Sequence, residues 1–289
     1  MKTVTRSPLL FKLAKELIRR DLRGGYRIIN MGQRYGLFDV EVRHQLSDAI
    51  SIDIPIYREA TPWDAKDVLG YETEHVEYFA SVARRMAKPV LFLDCGADIG
   101  AFSVLMALKC PSIDRILAFE PNSVAFAVLQ TNLRRLPIPS EAKCVAVSNF
   151  VGNGELVASP LDKSEHVFFL EKSEHGRIPV MRVDDLDLRW EDQSVVLKLD
   201  VEGNELSVLE GARNALKRAR AFAVSFEANR TVAARTKRDP MECLRFLQEL
   251  RACRPTVTER PDWSLKDKPD LFQLQDGRVF YNVVCESTA

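Results

Sequence analysis

From residue 90 onward, short runs of apolar and often β-branched residues alternate with longer segments whose apolar positions recur every three or four residues. The short runs predict strands at 90–95, 115–120, 142–148, 195–200 and 221–227, each ending at or near a polar residue. Segments 101–109, 123–136, 205–218 and 240–253 have helical spacing, as in Leu206, Leu209, Ala212 and Leu216. Strands and helices in alternation make a mostly parallel sheet with helices on both faces, an α/β fold. Between 154 and 186 the alternation lapses, because strand-like pieces at 155–158, 167–170 and 179–183 follow one another without a helix. This predicts an antiparallel insertion ahead of the fourth main strand. In the tail, 271–285, two apolar runs flank the turn Gln275-Asp276-Gly277-Arg278, a hairpin pattern that adds one antiparallel edge strand.

The first 88 residues carry weaker patterns. Leu9, Leu10, Leu13, Leu17 and Ile18 fall at helical spacing, 52–56 reads as a short strand, and 71–87 as a helix leading into the first core strand. The expected organisation is an extension, 1–70, serving as lid or oligomer contact, ahead of one domain spanning 71–289. Residues 1–24 hold seven basic and two acidic side chains. A basic amphipathic helix of this kind packs on its parent domain or a second subunit more often than on an anionic membrane. A homodimer is therefore an expectation, and membrane contact a minor one.

Composition narrows the classes. The 41 basic and 41 acidic residues cancel, which disfavours nucleic acid as a partner. The six cysteines are dispersed without a C-x-x-C pair, so they read as buried thiols in a reducing, cytoplasmic setting rather than as a zinc or redox site. No apolar run approaches the roughly 18 residues that span a bilayer.

The candidate chemistry lies at strand ends, where open parallel sheets bind ligands. The first strand runs into Asp94-Cys-Gly96-Ala97-Asp98-Ile-Gly100, whose glycines let a ligand approach the backbone. Two carboxylates on that loop would repel a pyrophosphate, so NAD fits poorly, whereas a cationic sulfonium tolerates them. Glu120, ending the next strand 26 residues after Asp94 and followed by Pro121 and Asn122, is placed to accept two hydrogen bonds from a ribose. Ser148, ending the third, is suited to flank an adenine ring. On the fourth, strand alternation puts Lys198, Asp200 and Glu202 on one side. With Glu227 on the fifth strand, these charges form either a structural ion pair or a site where one group orients a substrate and another accepts its proton. His75 and His166 are the histidines nearest such a site, and a lone histidine is more often a bystander than a base.

The stretches LDCGADIGAFS, LAFEPN, AVSN, MRVDDL and VVLKLDVEGNELSVLEGA, with the Asn132 region, closely resemble the FkbM family of S-adenosylmethionine-dependent methyltransferases, over roughly 71–229. The resemblance implies a class I methyltransferase (Rossmann-like) fold with a seven-stranded sheet and an antiparallel C-terminal strand. It also implies O-methylation of a hydroxyl on a sugar, glycan or natural product. By the same resemblance Asp94, Gly96, Ala97 and Gly100 hold the methionine part, with Asp98 standing where many members have asparagine. Glu120 holds the ribose, Ser148 lies near adenine and Asp200 sits at the transfer site. Tyr71 and Glu72 are expected to close over the cofactor. No metal is expected, although Asp200, Glu202 and Glu227 have the oxygen chemistry of magnesium ligands. The competing readings are a cofactor-binding scaffold that transfers nothing and an NAD-dependent oxidoreductase.

Overall fold

The computed structural model describes residues 8–20, 22–38, 41–56, 73–158, 168–265 and 278–288. In chain order the described helices are α1 (Pro8–Arg19), α2 (Gly25–Arg34), α3 (Thr73–Arg85), α4 (Ala101–Lys109), α5 (Ser123–Leu133), α6 (Glu205–Gly211), α7 (Arg213–Arg218), α8 (Arg230–Thr236) and α9 (Met241–Leu250). The strands begin with β1 (Glu41–Gln45), β2 (Ser51–Pro55), β3 (Val90–Cys95), β4 (Arg115–Phe119), β5 (Ser140–Lys143) and β6 (Ala146–Val147). They continue with β7 (Gly152–Ala158), β8 (Phe168–Lys172), β9 (Ile178–Met181), β10 (Ser194–Leu199), β11 (Phe222–Asn229), β12 (Cys253–Val257) and β13 (Phe280–Ser287).

Seven strands form one sheet in the order β12-β13-β11-β10-β3-β4-β5. Strands β11, β10, β3, β4 and β5 are parallel, and β13 runs antiparallel to both its neighbours. Both central strands, β3 and β10, are buried along their whole length, which is why their sequences, VLFLDC and SVVLKL, are nearly unbroken apolar runs instead of alternating ones. One face of the sheet packs against α3, α4, α5 and strand β2, around Phe79, Phe92, Phe102 and Val196. The other packs against α6, α7 and α9, around Leu197, Leu209, Leu216 and Phe246. A second, four-stranded sheet, β6-β9-β7-β8, is the predicted insertion.

Four expectations are corrected. The antiparallel strand is not at the edge: β13 is hydrogen-bonded to β11 on one side and β12 on the other, so it is buried and apolar (Tyr281, Val283, Val284). The first half of the expected hairpin lies outside the described residues. The single strand 142–148 is two strands in different sheets, because the Lys143 carbonyl accepts the N–H groups of both Glu120 and Val145 and turns the chain out at Cys144. The helix 205–218 is likewise two. The Asp184 carboxylate accepts the N–H groups of Asn214 at 3.1 Å and Ala215 at 2.7 Å, capping a new helix after the break at Ala212. Finally, Cys253 and Cys285 form a disulfide with Cα atoms 6.0 Å apart. Cys285 is paired with Pro255 across β12 and β13, diagonal to Cys253 and so within bridging reach. Cys95, Cys110, Cys144 and Cys243 are thiols.

The β1–β2 hairpin is integral to the core. Ile52 and Ile54 are fully buried with the α3–α5 layer, and Asn132 of α5 staples the hairpin to the loop after β3. Its amide donates to the carbonyls of Asp53 at 3.0 Å and Ile99 at 2.8 Å, and its oxygen accepts the Asp53 N–H at 2.7 Å. Burial would raise the Asp53 carboxyl, but hydrogen bonds from Arg43 and Arg135 hold it below the usual carboxylate range.

Candidate active site

Parallel pairing sets Asp94 of β3 opposite Lys198 of β10, and Lys198 opposite Ser225 of β11. Residues directly opposite in a sheet point to the same face, so three polar side chains form a row under α3 and α4. Each is held from above or beside. Ser103 of α4 donates to Asp94 Oδ2 at 2.6 Å, and Ser225 Oγ shares a 2.6 Å hydrogen bond with His75 Nε2 of α3. Lys198 Nζ lies 5.0 Å from the Phe102 ring centroid. The ammonium is 2.9 Å from Asp200 Oδ2 and 3.8 Å from Asp94 Oδ1. A buried lysine keeps its charge only with such partners. Two carboxylates lie around one ammonium, a setting that tolerates a positively charged ligand.

The loop after β3 ties three strand ends together. The N–H groups of Gly96 and Ala97 both donate to the Phe119 carbonyl at 3.0 Å, that of Asp98 to Glu120 Oε2 at 2.8 Å, and that of Asp200 to the Cys95 carbonyl at 3.0 Å. Gly96 has φ +80°, and a Cβ there would stand 1.8 Å from the Asp200 carbonyl oxygen, so glycine is required on two counts. Asp98 also lies in the left-handed region, φ +50°. Asparagine and aspartate are the side chains that tolerate that conformation best.

Glu120 is buried at the end of β4. Its Oε1 accepts the Asn122 N–H at 2.7 Å while Oε2 accepts that of Asp98, so the carboxylate is fixed in orientation. Asn122 is a helix cap: its side chain accepts from Val124 at 2.9 Å and Ala125 at 3.4 Å. It therefore orients Glu120 through its backbone, and Pro121 only links the two. Ser148 is brought elsewhere. It is buried at the end of β6, its N–H donating to Met181 and its carbonyl facing Gly211, where a Cβ would stand 2.0 Å away.

β10 ends at Leu199, so strand alternation does not reach Glu202. That residue sits in a turn at φ +55°, beyond Asp200. Burial, then the charge of Asp200, push its carboxyl up to about 7, with Arg235 opposing. Arg235 comes from α8, donates to the Glu202 carbonyl at 2.9 Å and lies 5.2 Å from the Phe169 ring. Glu205 closes the same turn by accepting the N–H groups of Gly203 at 3.0 Å and Val201 at 3.3 Å. Glu227 sits one strand further, accepting from Asn229 at 2.8 Å. Ser103, Arg235 and Phe169 escaped sequence reasoning. A serine in an otherwise apolar helix was the one visible signal, and α8 could not be anticipated at all. His75 is packed on the sheet as a bystander to the open end, and Tyr71, Glu72 and His166 lie outside the described residues.

A raised carboxyl makes stability pH-dependent with a definite sign. Glu202 binds a proton more tightly folded than unfolded, so its contribution is full below pH ~4.5 and is lost as pH rises through about 7. Glu202→Gln is expected to raise stability at pH 8 by roughly 1–2 kcal/mol and to flatten the urea-denaturation profile between these values. An unchanged profile would show that Glu202 is not so perturbed.

The profile of the methyltransferase FkbM domain matches residues 94–254, more than half the chain, beginning at the first acid of this row. The chain belongs to the FkbM methyltransferase family. A curated relative, methyltransferase sdnD of Sordaria araneosa, is 28% identical over 175 residues, which is 49% of this chain and 67% of that protein. Among solved structures the chain is similar to a methyltransferase FkbM from Methylobacillus flagellatus KT, with 16% identity, TM-score 0.43, and coverage of 97% of this chain and 77% of that one. It is also similar to a geranyl diphosphate C-methyltransferase from Streptomyces coelicolor A3(2), with 11% identity, TM-score 0.43, and coverage of 77% and 82%.

As an FkbM methyltransferase the protein is an enzyme, and its cofactor is S-adenosylmethionine. The donor set suits that group: a buried, fixed carboxylate at the end of β4 has the chemistry to accept from vicinal hydroxyls, and the carboxylates of Asp94 and Asp200 beside the loop tolerate a sulfonium. Among the described residues no group of three acids, histidines or cysteines is disposed to hold a metal ion.

Proposed function

We propose that this FkbM methyltransferase methylates a hydroxyl oxygen on a sugar, glycan or other small natural product, with Asp200 accepting the hydroxyl proton. The observation that carries this reading is the Asp200 carboxylate. It stands at the open end of β10 beside the cofactor loop, 30% exposed, with Oδ2 on Lys198 Nζ at 2.9 Å. S-adenosylmethionine, when bound, supplies an electrophilic methyl carbon. An alcohol is a poor nucleophile, so a carboxylate that takes its proton as the C–O bond forms lowers the barrier. Lys198 keeps that carboxylate oriented, and Asp94, held by Ser103, stands behind Lys198. Gly96 and Ala97 supply the cradle, and Glu120 the ribose contact. Glu202 and the α8 side chains around Arg235 wall the acceptor side and exclude water.

Incubation of a cell extract with the enzyme and methyl-labelled cofactor, followed by mass spectrometry, tests the proposal. A labelled ether supports it, and a label on carbon or nitrogen refutes the oxygen acceptor. Glu120→Ala is expected to weaken S-adenosylmethionine binding by roughly 10–100-fold, since charged-group hydrogen bonds are worth about 1.5–3 kcal/mol. Calorimetry showing unchanged affinity would remove Glu120 from the cofactor site.

A further inference from the structure

We propose that the α1–α2 hairpin seats on an anionic lipid surface. Its inward faces are accounted for: Phe11, Ala14 and Ile29 are buried with Phe38, Val42 and Ile56. Its outward faces are not, since Leu9 is 81% exposed and Leu13, Leu22, Tyr26, Met31 and Tyr35 are each about half exposed or more. Of the ten exposed large apolar side chains among the described residues, seven precede residue 38. The other three are the scattered valines Val124, Val151 and Val279. Apolar exposure concentrated in this way marks a contact surface, whereas single exposed residues need no explanation.

Charge selects the occupant. Residues 1–37 hold nine basic and two acidic side chains, a net +7 in a chain whose total is zero, so the remainder carries −7. The body of a second copy would attract the hairpin electrostatically but, among the described residues, offers only those isolated valines. The hairpin of a second copy offers apolar side chains but carries the same +7 and repels. An anionic bilayer supplies both requirements, an apolar medium for the leucines and tyrosines and negative headgroups for the arginines around them. No described helix is long and apolar enough to cross a membrane, so the contact is an interfacial one.

Co-sedimentation of the full chain with phosphatidylcholine vesicles, with and without phosphatidylglycerol, tests this. Binding is expected only with phosphatidylglycerol and is expected to weaken as salt is raised. The double variant Leu9→Glu/Leu13→Glu should bind those vesicles about tenfold or more weakly, with thermal melting and S-adenosylmethionine affinity unchanged because both side chains are exposed. Arg27→Glu/Arg34→Glu should weaken binding and flatten its salt dependence. The proposal is overturned if the wild-type chain ignores phosphatidylglycerol vesicles, or if the leucine variant binds them as well as wild type. A dimer in sedimentation equilibrium that the leucine variant dissolves would also overturn it, by making a second copy the cover for this face.

Discussion

Asp200→Asn is expected to lower kcat for methyl transfer by roughly 10²–10⁴-fold, the range supplied by a positioned base, while S-adenosylmethionine affinity changes by only a few-fold. Asparagine has nearly the same shape, and its amide oxygen can still accept from Lys198 Nζ, now 2.9 Å from Asp200. Lys198 also retains the Asp94 carboxylate at 3.8 Å, so the buried ammonium is not left alone and the strand end keeps its fold. What the variant loses is the ability to take a proton. The separation of rate from affinity is the informative outcome: turnover within tenfold of wild type, measured with labelled cofactor, would assign the proton to another group. Glu202, with its carboxyl near 7, would be next in line.

Gly96→Ala is expected to abolish measurable cofactor binding and to destabilise the fold by roughly 2–4 kcal/mol, in the range of a severe backbone conflict. The added Cβ would lie 1.8 Å from the Asp200 carbonyl oxygen and 2.8 Å from its carbon. These are backbone atoms, which cannot move aside as a side-chain tip can. The left-handed φ adds its own cost, about 1–2 kcal/mol for any residue with a Cβ. Relief requires pulling the loop off the end of β10, which also breaks the hydrogen bond from Asp200 N–H to the Cys95 carbonyl and shifts Asp200 itself. Gly36→Ala is the control: it has φ +65° but nothing within 4 Å of the added atom, so it should cost only the conformational part. Equal melting temperatures for the two variants would show that the contact with Asp200 is not what glycine is for.

Legibility followed local physics. The strands and helices from 90 to 133 were readable because a buried parallel strand must be apolar on both faces and a covering helix must repeat at 3.6 residues. Errors came where a carboxylate or a carbonyl redirected the chain. Asp184 split one predicted helix and Lys143 split one predicted strand, and neither effect has a periodic signature. The same limit governed the site. Asp94, Gly96, Glu120, Lys198 and Asp200 drew notice because they stand at or just past strand ends, where such sheets bind ligands. For Ser148 the sequence gives only its place after the third strand, whereas the turn at Cys144 brings it to the second sheet, against Gly211.

By itself the sequence determined the α/β class, the loop that carries glycine and acid, and the charged end of the fourth main strand. All of these are written in contiguous residues, where alternation, helical period and turn chemistry act over a few positions. Only the tertiary structure decided that Lys198 is shared between Asp94 and Asp200, that α8 brings Arg235 over Glu202, and that β13 is interior. It also decided that apolar side chains on the outer face of α1 and α2 are exposed. Those facts depend on which strands become neighbours, and a pairing between residues a hundred positions apart leaves no mark on the spacing of either segment.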